Sequence, residues 1–244
     1  MRQTMMRFMH NFSIVTVTLW CALTAADTRA DILFESGTLG PTGVTYDDLL
    51  ADTVGGTRIA DVVFTGVRFE LSQPVRTTHI GAHVLQRPGS NPNGDGSFFG
   101  AIIALDNEND FPNSGDLSTS DFLGSALLAF PDPSAEVFSD LSLRLEPGWY
   151  ALVFGSALFG ATANGAALRN NPDIGEPAYI AWQPHTSWFN LSDLSDAIEF
   201  VDHRFVVRGS VVPEPISIGS TLIGAMYLIL NGRRLSRCNI ERLR

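Results

Sequence analysis

Apolar and polar residues alternate with a period of two along much of the chain. Val63, Thr65, Val67, Phe69 and Leu71 share one side of such a pattern, with Arg68, Glu70 and Ser72 on the other. Leu141, Leu143 and Leu145 alternate with Ser142, Arg144 and Glu146, and Phe205 and Val207 with Val206 and Arg208. A period of two sends successive side chains to opposite faces, so each segment predicts a strand with one buried face. Phe98 to Leu105 and Trp149 to Phe154 are apolar at both parities, which predicts central strands covered on both faces. Glu146-Pro147-Gly148-Trp149 has Pro second and Gly third, the arrangement of a type II turn, and predicts a hairpin joining Leu141–Leu145 to the next strand. Helical periodicity is scarce; Tyr46 to Ala51 and Leu191 to Ala197 are the candidates for short helical turns. Gly155 to Asn171, rich in Gly, Ala and Asn, reads as a long loop, and Ser210 to Val212 as a linker.

Between residues 31 and 211, Gly and Pro occupy 30 of 181 positions and punctuate the apolar runs into many short strands. The expected fold is all-β, an antiparallel β-sandwich or jelly-roll-like domain of a size that can bury a substantial core. The run Leu-x-Pro-Gly-x-Tyr from Leu145 to Tyr150 resembles a feature of extracellular β-sandwich modules, and that resemblance implies a fold type alone.

The two ends follow a different pattern. Arg2 and Arg7 precede the uncharged, mostly apolar run Phe12 to Ala26, and Thr28-Arg29-Ala30 then ends on a small residue. This is the layout of a secretory signal peptide over residues 1–30, its apolar run shorter than the roughly 20 residues of a membrane span. At the other end, Pro213-Glu214-Pro215 precedes 15 uncharged residues, Ile216 to Leu230, and then Arg233, Arg234, Arg237, Arg242 and Arg244 against a single Glu241. Prolines start a helix cleanly but cannot continue one, so a short transmembrane helix over residues 216–230 is expected, with the basic tail in the cytoplasm. The expected organisation is a signal peptide (1–30), a β-sandwich ectodomain (31–211) and a C-terminal segment (212–244).

That C-terminal segment resembles the PEP-CTERM sorting signal of exported bacterial proteins. The resemblance rests on Pro213, Glu214 and Pro215, the short apolar helix, and the basic cluster opened by Arg233 and Arg234, about 30 of the 244 residues. It implies a partner: exosortase, a membrane cysteine protease that removes such a tail near the tripeptide. It also implies a source among bacteria that make extracellular polysaccharide. The expected itinerary is export, transient anchoring in the inner membrane, then release to the cell surface or extracellular matrix. An ordinary single-span anchor carrying a chance Pro-Glu-Pro is the alternative.

Charge and residue usage narrow the chemistry. Residues 31–211 carry 8 Arg against 23 Asp and Glu, a net −15, which is hostile to nucleic acid. All 16 basic residues are Arg, so Lys chemistry is excluded. Cys21 and Cys238 both lie in the end segments, which leaves the ectodomain without a thiol nucleophile, a Cys-ligated metal or a disulfide. No Gly-x-Ser-x-Gly, His-Glu-x-x-His or phosphate loop is present. His79 and His83 are four apart in a strand-like segment, about 13 Å, too far to share one zinc, and are expected on an exposed polar face. His185 and His203 stand alone.

No catalytic residue is assigned and no enzyme is expected. Two binding sites are candidates. Tyr179, Trp182, Trp188 and Phe189 fall within eleven residues and, if exposed, form a platform for sugar rings of extracellular polysaccharide. The acidic run Asp106, Glu108, Asp110 and Asp116, continued by Asp121, supplies hard oxygens for calcium, although Phe111 stands where a calcium loop needs Gly. The expected role is therefore an exported, non-catalytic surface or matrix protein, with a carbohydrate-binding module and a secreted hydrolase without a recognisable motif as alternatives.

Overall fold

Thirteen strands and one short helix realise the alternation in the computed structural model, which describes residues 30–51, 54–61, 63–87, 96–184, 187–191 and 202–213. All of the predicted signal peptide (1–30) except Ala30, together with Glu214, Pro215, the helix 216–230, Arg233, Arg234, His185 and most of the turn expected at Leu191–Ala197, lies outside the described residues. In chain order the strands are β1 (Asp31–Glu35), β2 (Gly56–Ile59), β3 (Phe64–Leu71), β4 (Val75–Gln86), β5 (Ser97–Leu105), β6 (Phe122–Ala129) and β7 (Ala135–Asp140). They continue with β8 (Arg144–Leu145), β9 (Gly148–Gly155), β10 (Gly165–Leu168), β11 (Ala178–Gln183), β12 (Ser187–Asn190) and β13 (Phe205–Val211). The helix α1 is Tyr46–Leu50, where a helical turn is predicted. Its N-cap Thr45 and Asp48 form a reciprocal capping box.

The strands form two sheets. One runs β1-β13-β4-β10-β2, with β7 and β8 also pairing with the long β4; the other runs β12-β11-β3-β9-β5-β6. The registered pairs are antiparallel. The expected all-β sandwich is therefore the observed one. Its main core lies between the sheets and joins Val67, Phe69, Tyr150 and Phe154 of the second sheet to Ile80, Val84, Phe205 and Val207 of the first. A second apolar cluster lies on the outer face of the second sheet. There Phe64, Phe99, Ile103 and Val153 meet Phe111 and Leu117 from the β5–β6 loop, and Leu158 and Ala161 from the β9–β10 connection. This second cover is why β5 and β9 are apolar at both parities.

Four segments differ from the pattern-based reading. The run Leu141–Leu145 is not one strand: β7 stops at Asp140, and only Arg144 and Leu145 rejoin β4, at Arg76 and Val75. Between them the Thr77 hydroxyl donates to the Leu141 carbonyl (2.5 Å) and accepts from the Leu143 N–H (2.9 Å), inserted between the backbone bonds Leu141 N–H to Thr78 and Thr77 N–H to Leu143.

The Glu146–Trp149 segment is not a hairpin turn. It carries the chain from β8 in the first sheet to β9 in the second, and Gly148 is near-extended (φ 158°) rather than near the +80° of a type II turn. The Tyr150 hydroxyl donates back to the Glu146 carbonyl at 2.6 Å, the tyrosine-corner geometry that fixes such crossings in β-sandwiches.

The supposed loop Gly155–Asn171 contains β10, wedged between β4 and β2. Its small residues mark a narrow slot, because a Cβ at Gly165 would lie 2.3 Å from the Phe130 ring and 2.4 Å from the Leu85 carbonyl. Finally, Ser210 and Val211 belong to β13 and are not a linker. The strand itself thus ends two residues before the Pro-Glu-Pro motif.

Candidate functional site

The four aromatic side chains expected to form one platform are divided by strand parity. Tyr179 and Phe189 pack against the main core between the sheets, whereas Trp182 and Trp188 pack against the outer cluster. Trp182 and Trp188 are direct cross-strand partners, but Trp182 stacks on Phe64 at 4.9 Å and 27°. The Gly115 backbone covers that indole so closely that a Cβ there would lie 2.2 Å from it. Trp188 donates its Nε1–H to the Ser114 carbonyl at 3.2 Å. All four rings are engaged in packing, and no common sugar-binding face joins them.

The acidic run is organised by its own backbone. Asp110 accepts from the Asp106 N–H (2.9 Å) and the Phe111 N–H (2.8 Å) on its two oxygens. Asp116 accepts from the Ser118 hydroxyl (2.7 Å) and N–H (3.2 Å), and the Ser118 hydrogen bonds hold its carboxyl below the ordinary value. Asp121 accepts from the Asn113 N–H at 2.8 Å. Among the described residues no three His, Cys, Asp or Glu side chains converge as a metal cluster. These bonds shape the loop so that Phe111 and Leu117 reach the outer face of the second sheet.

The histidines differ from expectation. His79 is half-buried and lies 3.0 Å from Asp140. His83, expected on an exposed polar face, is fully buried, because the outer face of β4 is covered by the segments around Asn171 and Arg204. Its Nδ1 lies 2.7 Å from Asn171 Oδ1, and Asn171 Nδ2 donates to the carbonyls of Leu168 and Asp202. His203 is also fully buried: its Nδ1 meets the Leu168 carbonyl at 3.0 Å, and its ring lies edge-on to Tyr179. Burial pushes His83 down, and pushes His203 down to about 4, because the imidazolium would lose its hydration. The same cause raises the Tyr179 hydroxyl, which contacts Asp173 (2.5 Å) and the His203 carbonyl (2.7 Å).

Beside these rings, Arg204 binds Glu136 (2.5 Å), Glu35 (2.8 Å) and the Gly37 carbonyl. Burial alone would lower the Arg204 pKa, and the two carboxylates raise it. This network ties β1, β7 and the residue just before β13 together. Its guanidinium is buried, and its two carboxylates remain partly exposed.

A concave feature lies elsewhere on the molecule. A cleft of about 350 Å³ opens between the β5–β6 and β10–β11 connections, and Phe34 of β1 and Phe69 of the inter-sheet core also border it. It is lined by Arg68, Glu70 and Trp149 from the sheet, Glu108 and Asn109 from one connection, and Glu176 from the other. Glu70 and Trp149 are cross-strand partners on β3 and β9. Arg68 is buried, donates to Asn190 Oδ1 (2.6 Å) and the Asp110 carbonyl (3.3 Å), and lies over the Phe111 ring. A smaller recess of about 200 Å³ lies beside α1, next to Arg58, Arg87 and Tyr46.

Of the residues singled out from sequence, only Glu108 lines the larger cleft. Trp149 was legible as a strand residue, and its parity opposite Tyr150 is the signal that places it on the outer face. Nothing in the sequence pairs it with Glu176, which a loop delivers. Compared with known proteins, the chain matches no family model and no curated sequence.

Proposed function

We propose that this protein is an exported, non-catalytic β-sandwich of the bacterial cell surface or extracellular matrix, delivered by PEP-CTERM sorting and cut by an exosortase-type protease near Pro213-Glu214-Pro215. The observation that carries the reading is a coincidence of boundaries. The last strand, β13, ends at Val211, and the motif begins two residues later. A cut at the motif leaves every strand of both sheets in the released product. An extended Pro-rich segment just beyond a strand suits a protease cleft better than a helix does.

The N-terminal signal layout and the C-terminal Arg cluster support the same orientation, with the acidic sandwich outside and Arg233 and Arg234 inside. The test is fractionation of the native host. The wild-type protein is expected in the surface or matrix fraction. Replacement of Pro213-Glu214-Pro215 by three Ala is expected to leave an uncut precursor in the inner membrane. Release of the triple-Ala protein at the wild-type level would overturn the sorting reading.

A further inference from the structure

The cleft beside Trp149 is assembled from five separate parts of the chain, and three of them bring a carboxylate. Glu70 comes from β3, Glu108 from the β5–β6 connection and Glu176 from the β10–β11 connection, and all three are exposed. Glu70 and Trp149 face each other across β3 and β9, so their side chains leave the sheet on the same side. Arg68, two residues before Glu70 and on the same strand face, contributes one positive charge at the base of the cleft. Three carboxylates against one guanidinium leave an excess of negative charge, on a body that already carries a net −15 over residues 31–211. Such a field repels anionic ligands and draws in cationic ones. The indole of Trp149, half-buried at the wall, adds the aromatic surface most attractive to a cation.

The shape of the site narrows the ligand further. At Trp149 β9 is paired on both sides, and beyond Arg68 β3 pairs only with β9, which leaves a free edge of just three residues, Phe69 to Leu71, for a peptide to add to as a strand. A recess of about 350 Å³ is near the lower bound for small-ligand sites and matches one or two sugar rings. We propose that this cleft binds an amine-bearing glycan, a polysaccharide of hexosamine units with free ammonium groups. The ammonium pairs with Glu70 and Glu176, the ring lies against Trp149, and Asn109 is placed to hydrogen-bond a hydroxyl. This goes beyond the sorting reading and does not rest on it, because every lining residue falls between Phe34 and Ala178 in the sequence.

The test is calorimetric titration of the full chain in non-ionic detergent with glucosamine oligosaccharides, beside N-acetylglucosamine and glucose oligosaccharides of equal length and oligolysine. The glucosamine oligomer is expected to bind, and about 0.5 M salt to weaken it strongly by screening. The double variant Glu70→Gln/Glu176→Gln is expected to weaken it at least about tenfold, since it removes both charges and keeps the side-chain shapes. Because these two side chains are exposed, an unchanged melting temperature separates lost binding from lost folding. Trp149→Ala is expected to weaken binding further. Equal binding of the N-acetylated or glucose oligomers, undiminished binding by the double-Gln variant, or no binding of any glycan would overturn the proposal. Binding of oligolysine in place of glucosamine would also overturn it, in favour of a basic peptide.

Discussion

The buried His203 gives the fold a pH dependence that can be worked out from its surroundings. Its ring is enclosed by Tyr179, Phe205 and the Leu168 carbonyl, with Arg169 adding positive potential, and its pKa falls from 6.5 to about 4. In the unfolded chain the ring takes up a proton near pH 6.5; in the folded chain it stays neutral until about pH 4. Between these values the unfolded state holds more protons, so stability is full above about pH 6.5 and is lost as the pH falls toward 4. From pH 7 to pH 5 the loss from this residue alone is about 2 kcal/mol. The assay is urea unfolding at several pH values, for the wild type and His203→Asn. The Asn amide retains a donor for the Leu168 carbonyl but does not titrate. Its smaller volume lowers stability at pH 7, so the informative quantity is how the difference between the two proteins varies with pH. That difference should shrink by about 2 kcal/mol between pH 7 and pH 5. Because His83 and the carboxylates remain in both proteins, their titration largely cancels. A difference independent of pH would refute the claim that His203 is held neutral by burial.

Trp182→Ala should destabilise the protein by about 3 kcal/mol or more, because it empties the stack between Phe64 and Gly115; a melting temperature unchanged by this substitution would show an exposed ring after all. Gly115→Ala should lower the melting temperature in the same assay, since its Cβ would enter the Trp182 ring. Tyr150→Phe removes the bond to the Glu146 carbonyl and should cost about 1 kcal/mol in denaturant titrations, with no change in circular dichroism. Because Asp110 and Asp116 already accept hydrogen bonds from their own loop, millimolar calcium should leave the melting temperature unchanged. A rise of several degrees, erased by Asp110→Ala, would instead establish a calcium site there.

Period-two alternation was enough to find most strands and the sandwich class, because a strand with one buried face writes its parity into the sequence. Val67, Phe69 and Leu71 face the main core as that parity requires. It failed where another part of the chain supplied the cover. Arg68 reads as a solvated position, yet the β5–β6 connection folds over it and buries it. His83 reads the same way and is buried by segments from about 90 to 120 residues further along the chain. At the strand break after Asp140 the Thr77 hydroxyl bonds to Leu141, 64 residues away, and local pattern carries no trace of that contact. Composition misled at β10, where Gly and Ala mark a tight slot and not a loop. Clustering within eleven residues misled for Tyr179, Trp182, Trp188 and Phe189, since nearness in sequence says nothing about which face of a sheet each ring takes. The cleft beside Trp149 joins residues from five separate segments, which no single stretch of sequence announces.

The central claim is that the sandwich is exported whole and separated from its tail just beyond β13. Intact-mass spectrometry of the protein recovered from the native host's surface or matrix fraction tests this most directly. The account predicts a chain that begins near Asp31 and ends at or close to Pro213-Glu214-Pro215, with all thirteen strands retained and Arg233 and Arg234 absent. A mature chain that still ends at Arg244 would contradict it.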